Sequence, residues 1–64
     1  MMETFHITLL DDYEENLEWF ITAANPSAAL AEALVASQGS PGIYSVWDPR
    51  DPQGMPLLEE TILG

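Results

Sequence analysis

Residues 4–10, TFHITLL, alternate apolar with polar side chains, and this alternation decides the fold. Successive side chains of a β-strand point to opposite faces of a sheet, so Phe5, Ile7 and Leu9 share one face. His6, the one histidine of the chain, falls on the opposite face with the threonines. The pattern therefore predicts a half-buried strand with His6 on its solvent-facing side.

The same alternation returns at residues 17–23, LEWFITA, where Leu17, Trp19 and Ile21 occupy every second position. The intervening residues 11–16, DDYEEN, are rich in Asp and Asn, which favour turns because their side chains hydrogen-bond to nearby backbone. We expect two antiparallel strands joined as a hairpin around an acidic loop.

A helix is predicted to begin at Asn25-Pro26, because an Asn side chain caps the first turn and proline fits the first helical position. Residues 28–37 are rich in Ala and Leu and contain no Gly or Pro, which favours continuation of the helix. Gly39 supplies the expected stop.

Three further segments follow the predicted helix. Residues 43–47, IYSVW, are β-branched and aromatic and too short for a helix, so they predict a third strand. Residues 48–54 contain two prolines and a glycine, which predict a loop. Residues 57–63 favour a fourth short strand, with a terminal helix as the alternative.

This order of elements, β-β-α-β with a closing strand, predicts an α+β fold: an antiparallel sheet of three or four strands with one helix packed across one face. A chain of 64 residues has room for one small core, so we expect a single domain over residues 1–64. We expect Phe5, Ile7, Trp19 and Val46 to supply most of the buried area.

Composition limits the functions available to the chain. Eleven acidic residues against one arginine give a formal net charge of −10, so the chain lacks the cations that binding to nucleic acid or an anionic membrane surface requires. Residues 1–3 lack the positive region of a secretory signal, and every apolar run is shorter than the roughly 18 residues of a bilayer span. We therefore expect a cytoplasmic protein.

Candidate catalytic and metal-binding residues are few. The chain has no cysteine, which excludes thiolate zinc sites and thiol nucleophiles. His6 has no nucleophile or orienting partner beside it in the sequence. The carboxylates at 11–15 lack the glycine of a calcium loop, and a glycosidase needs a pocket that a chain this small can scarcely build. We predict that the protein is not an enzyme and that it binds no cofactor or metal.

The aromatic residues of the third predicted strand have two interpretations. Tyr44 and Trp47 either pack in the core or form a stacking platform for bases, and the lack of flanking Lys or Arg favours the core. Trp47 is also a candidate apolar anchor for a protein partner, as is Tyr13.

The acidic residues are clustered, and their net charge exceeds the magnitude of about 2 to 8 that suffices for the solubility of a small domain. A compact acidic body can occupy a basic nucleic-acid-binding groove in place of phosphates. A surface that is acidic only for solubility is the alternative. The candidate partner-binding residues are the clustered acids and the two aromatic anchors: Asp11, Asp12, Tyr13, Glu14, Glu15, Glu18, Trp47, Glu59 and Glu60.

Several features of the chain are similar to those of a known family. They are a length under 80 residues, strong acidity, the lack of cysteine, the hairpin around residues 11–15, the Asn25-Pro26 helix and the strand at 43–47. In these features the chain resembles the small phage-encoded anti-CRISPR proteins, specifically inhibitors of type I effectors such as type I-C. The resemblance implies a stoichiometric inhibitor that binds the crRNA-guided surveillance complex, Cascade, in the bacterial host and denies it target DNA. In DNA-mimic members, acidic side chains meet the Lys and Arg groups that hold duplex near the protospacer-adjacent motif.

Two other classes of function remain open from the sequence. The chain also suits an acidic protein–protein interaction module, antitoxin-like or a subunit partner, that binds through a strand edge and an apolar patch. A very small enzyme or cation-binding protein is the second alternative, which calorimetry with divalent cations would identify. We expect a monomer or a weak dimer without membrane association.

Overall fold

The computed structural model describes residues 1–51 and 53–64, which form four strands and one helix. In chain order these are β1 (Glu3–Asp11), β2 (Asn16–Ala23), α1 (Pro26–Ala36), β3 (Gly42–Trp47) and β4 (Leu58–Ile62). The predicted α+β order is confirmed, and the C-terminal segment is a strand rather than a helix. Of the loop predicted at 48–54, Pro52 lies outside the described residues.

The strands form one antiparallel sheet in the order β2-β1-β3-β4. The predicted hairpin is confirmed, with Ile7 of β1 opposite Trp19 of β2 and, on its other side, opposite Val46 of β3. Val46 in turn pairs with Leu58 of β4. This register keeps the apolar side chains of the row on one face, and a slip of one residue would turn a strand's apolar set to the other face. β1 is therefore a central strand, and β2 and β4 are the edges.

The core lies between the sheet and α1. Phe5, Ile7 and Leu9 of β1 are buried, as the alternation predicts, and they pack with Tyr44 and Val46 of β3. The helix contributes small side chains and one leucine to the core: Ala29, Leu30 and Ala33. Because alanines face the sheet, the helix backbone can approach it closely.

The two tryptophans lie on opposite faces of the sheet. Trp19 is half-buried at the margin of the core, because it belongs to an edge strand, and its share of the core is smaller than predicted. Trp47 has the opposite parity on β3 from the buried Tyr44 and Val46, so it points away from α1 and lies outside the core. The core interpretation is thus confirmed for Tyr44 and wrong for Trp47.

Both ends of α1 follow from local chemistry. Asn25 caps the first turn, since its Oδ1 accepts from the backbone N–H of Ala28 at 2.8 Å, and Pro26 occupies the first helical position. At the other end Gly39, with φ of 70°, closes the helix by donating its N–H to the carbonyl of Leu34 at 2.8 Å. The predicted start and stop are both confirmed.

The C-terminal end of α1 is also tied to the sheet. The hydroxyl of the fully buried Tyr44 donates to the carbonyl oxygen of Ser40 at 2.5 Å and lies 2.7 Å from Oγ of Ser37. A tyrosine at this core position satisfies its one polar atom on the segment that links helix and strand, which fixes where β3 begins relative to α1.

Candidate docking surface

The turn between β1 and β2 is held by one carboxylate. Oδ1 of Asp11 accepts from the backbone N–H groups of Tyr13 and Glu15, at 2.9 Å each. Backbone bonds between Asp11 and Glu15 and from Glu14 to Asp11, 3.1 Å each, close the same turn. We call residues 12–15 the acidic tip; all of its side chains are exposed.

The one arginine is paired at the opposite end of the sheet. Arg50 lies 2.8 Å from Oε1 of Glu3 and 3.1 Å from Oδ1 of Asp48. Hydrogen bonds from the side chain and backbone N–H of Arg50 hold the pKa of the Asp48 carboxyl below its usual range, and the same carboxylate raises the pKa of Arg50. Glu3 begins the nine-residue β1 and Asp11 ends it, so the two ends lie roughly 27 Å apart.

The acidic tip therefore keeps its charge uncompensated. Among residues 1–51 and 53–64, the ion pairs are those of Arg50, and His6 makes a hydrogen bond to Glu18; none of these contacts involves the tip. One end of β1 thus has a cation that offsets carboxylates, and carboxylates stand together beyond the other end. This unequal distribution of charge depends on the fold, because Glu3 and Arg50 are far apart in the sequence and only folding brings them into contact.

The face of the sheet turned away from α1 carries a second set of predicted residues; we call it the open face. Beside the Thr4–Thr22 pair of β1 and β2, its side chains form three longer rows across the strands: Phe20–His6–Trp47, Glu18–Thr8–Ser45–Glu59 and Asn16–Leu10–Ile43–Thr61. Glu18 and Glu59 end the middle row on the two edge strands, three strand spacings or roughly 14 Å apart. The open face thus has apolar rows and an acidic side chain at each edge.

The row Phe20–His6–Trp47, which we call the aromatic row, is held by specific contacts. The rings of His6 and Phe20 are stacked, with centroids 4.7 Å apart and an interplanar angle of 7°. Nε2 of His6 lies 2.9 Å from Oε2 of Glu18. The indole N–H of Trp47 donates to Oγ1 of Thr8 at 2.9 Å. These contacts position three rings on the neighbouring strands β2, β1 and β3.

The structure brings most of the predicted partner-binding residues onto two adjoining surfaces. Asp11 lies at the base of the acidic tip, which contributes the next four predicted residues, and the open face contributes Glu18, Trp47 and Glu59. Glu60 does not join them, because its opposite parity on β4 turns it toward the helix side of the sheet. Tyr13 is 87% exposed and lies outside the core cluster.

Sequence reasoning missed His6 and Phe20 as members of this surface. The signal was present: a hairpin that pairs residues 4–10 with 17–23 places position 6 opposite position 20. The pair forms a larger aromatic surface only together with Trp47, and Trp47 lies next to His6 only because β3 pairs with β1.

Within the described part of the chain, no three His, Asp or Glu side chains converge in a set that would hold a metal ion. Nor is any helix of those residues long and apolar enough to cross a bilayer. Comparisons of the chain with models of protein families, with curated proteins and with solved structures find no match.

Proposed function

We propose that this protein is a stoichiometric inhibitor that occupies a basic, nucleic-acid-binding groove of a protein partner. The observation that carries the proposal is the acidic tip, where Asp12, Glu14 and Glu15 stand exposed on a turn braced by Asp11. The resemblance to anti-CRISPR proteins supplies the partner: a subunit of a type I effector, Cascade, in the cytoplasm of the bacterial host. The protein acts by occlusion, without catalysis or a cofactor, and as a monomer or weak dimer.

Charge spacing supports competition with nucleic acid. Ten net negative charges over a long axis of 33 Å average one every ~3.3 Å. Duplex DNA carries one charge per ~1.7 Å of axis and each of its strands one per ~3.4 Å. Projected onto its long axis, the net charge of the protein thus has a mean spacing similar to that of the phosphates of one strand, and the sequence concentrates carboxylates at the tip.

Pre-organisation of the tip also supports the proposal. A flexible acidic loop would lose conformational entropy on docking, which reduces affinity. Here the backbone of residues 11–15 is already fixed by the carboxylate of Asp11, so its exposed charges need little further ordering. Their charge would mainly speed encounter with the basic groove and select it over other surfaces.

The direct test measures binding of a labelled target duplex to a purified type I-C effector while this protein is added. The unsubstituted chain is expected to prevent duplex binding at about one copy per site. The variant D12K/E15K is expected to lose most of that inhibition, because it reverses two charges of the tip. Asp11 and Glu14 are left unchanged, since the first braces the turn and the second has a φ of 62°.

The matched control is E32K/D51K, which makes the same change in net charge at two exposed positions of α1 and the loop after β3. This control should retain inhibition. Equal loss in both variants would mean that total charge, not the tip, is responsible. Failure of the unsubstituted chain to bind the effector would overturn the proposal.

A second candidate function rests on the edge strand β2. Its eight residues have a partner strand on one side only, among the described residues, so another protein could add a strand there. Binding by strand addition depends on backbone hydrogen bonds and apolar contacts, so it should persist at salt concentrations that abolish binding through the tip. Affinity measured against salt therefore separates the two functions.

A further inference from the structure

The aromatic row of the open face borders a depression that neither the core nor the acidic tip explains. The depression measures about 440 Å³ and is lined by His6, Thr8, Phe20, Trp47, Asp48 and Pro49. Phe20 is 65% exposed on an edge strand, and large exposed aromatic groups that adjoin a depression are typical of interaction sites.

The lining offers ring faces rather than hydrogen-bond donors. The indole N–H of Trp47 is already taken by Thr8, and Nε2 of His6 is taken by Glu18. The parallel stack of His6 on Phe20 covers one face of each ring, and Phe20, which is 65% exposed, keeps its other face open. Aromatic faces carry the negative part of the ring quadrupole, so they attract cations.

Two carboxylates adjoin the same depression: Asp48 lines it, and Glu18 contacts His6, a lining residue. Glu18 is 64% exposed and uses Oε2 for His6, which leaves Oε1 open to a second donor. Asp48 already holds a guanidinium, because Arg50 donates to both of its carboxylate oxygens. Asp48 thus shows how a guanidinium pairs with a carboxylate beside the depression. Glu18 has a carboxylate oxygen available for a similar pair with a second guanidinium.

These observations select one occupant. A second copy of the chain is disfavoured because each copy carries a net charge of −10. Arginine is favoured over lysine, since a planar guanidinium stacks on rings and also pairs with a carboxylate. We propose that the depression receives an arginine side chain of a protein partner, stacked on the aromatic row and paired with Glu18. The proposal rests on the proposed function in taking that arginine from the partner's basic groove.

The test is an NMR titration of the ¹⁵N-labelled chain with acetylated, amidated triarginine, and with trilysine of the same form as the charge-matched control. The chain has two tryptophans, so the indole N–H signals report the two faces of the sheet separately. We expect triarginine to shift the signal of Trp47 and the amides around Phe20, while that of Trp19 stays in place. Triarginine should bind roughly two- to fivefold more tightly than trilysine, the scale of an exposed cation–π contact.

Two variants with matched controls locate the site. F20A should weaken triarginine binding by a similar factor, whereas V35A, at a 79% exposed apolar position of α1, should not. E18Q should weaken it as well, and E32Q, which makes the same charge change on α1, should have the smaller effect. An unshifted Trp47 indole at saturation, or equal binding of the two peptides with no effect of F20A, would overturn the inference.

The same titration separates this inference from the proposed function. D12K/E15K should keep the response of Trp47 to triarginine while it loses inhibition of the effector. If the unsubstituted chain binds triarginine as described and does not bind the effector, the proposed function fails and the arginine site stands. If it inhibits the effector without a response at Trp47, the arginine site fails alone.

Discussion

Asp11 differs from the acids that follow it, because its carboxylate is used within the chain. Its Oδ1 accepts two backbone N–H groups of the turn. D11A is therefore expected to lower the free energy of unfolding by about 1 kcal/mol, the usual net value of such bonds. D11N keeps an acceptor oxygen and should lower it by less. Urea denaturation measures both, with D12A as the control; an equal cost for D12A would contradict the role given to Asp11.

The contact between Arg50 and Asp48 predicts how its contribution to stability depends on pH. Arg50 holds the pKa of Asp48 below its usual range, chiefly by side-chain hydrogen bonds and then by its backbone N–H. Because the folded-state pKa is the lower one, the pair contributes stability above the unfolded-state pKa, and that contribution disappears as pH falls through the folded-state value. R50Q should raise the pKa of the Asp48 carboxyl toward its usual range, as measured by carboxyl ¹³C NMR titration.

The control variant in that titration is E32Q, which removes a charge at an exposed position of α1. It should leave the midpoint of the Asp48 carboxyl where it is in the unsubstituted chain. An unchanged Asp48 midpoint in R50Q would mean that the contact is too weakly populated in solution to bind the carboxylate.

Among the elements, the link between α1 and β3 depends on one hydroxyl. Y44F removes the group that bonds to the carbonyl of Ser40 and to Ser37, in a position with no exposure to solvent. Ser40 is half-buried, so the loss is that of an ordinary hydrogen bond, and the free energy of unfolding should fall by roughly 0.5–1.5 kcal/mol. Y13F makes the same chemical change at an 87% exposed tyrosine and should have no effect in the same denaturation experiment. Equal stability of Y44F and the unsubstituted chain would show that this link contributes nothing.

The elements themselves were largely predictable from the sequence. Strict alternation in 4–10 and 17–23 gives each strand one apolar face, and Asn25-Pro26 marks the start of a helix with few alternatives. The third strand was predictable as a strand, but the sequence did not indicate which of its side chains face the core. Its residues 43–47 are apolar at four of five positions, so alternation does not say which set is buried.

The arrangement of strands limits what the sequence says about the candidate site. Both strands of the hairpin have a free edge and the same apolar parity, so nothing local decides which of them pairs with β3. The acidic tip follows from the order of residues alone, and its exposure was expected. The aromatic row could not be predicted, because it joins Phe20 to Trp47 through the choice of β1 as the middle strand.

For the molecule as a whole, charge repulsion predicts a response to salt. Raising ionic strength from about 0.01 M to about 0.1 M shortens the Debye length from about 30 Å to about 10 Å. At the lower ionic strength the Debye length is comparable to the 33 Å long axis, so repulsion acts across the whole molecule. At the higher ionic strength the Debye length is much shorter than this axis, so repulsion acts only between nearby charges. The melting temperature of the free chain should therefore rise with salt, as followed by circular dichroism.

The variant E32K/D51K provides the control for this salt effect. It has a net charge four units less negative, so its melting temperature should depend less on salt. A melting temperature that falls with added salt in the unsubstituted chain would mean that attractive contacts such as those of Arg50 outweigh the repulsion.

The central position of β1 has a consequence for the order of synthesis. The ribosome makes β1 first, and the hairpin with β2 can close within about 1–10 μs of its release. The strand that covers the other side of β1 begins roughly 30 residues later, at Gly42. Until that strand emerges, the nascent chain presents its future interior strand as an open edge, and α1 is the element that comes between them and can cover its apolar face.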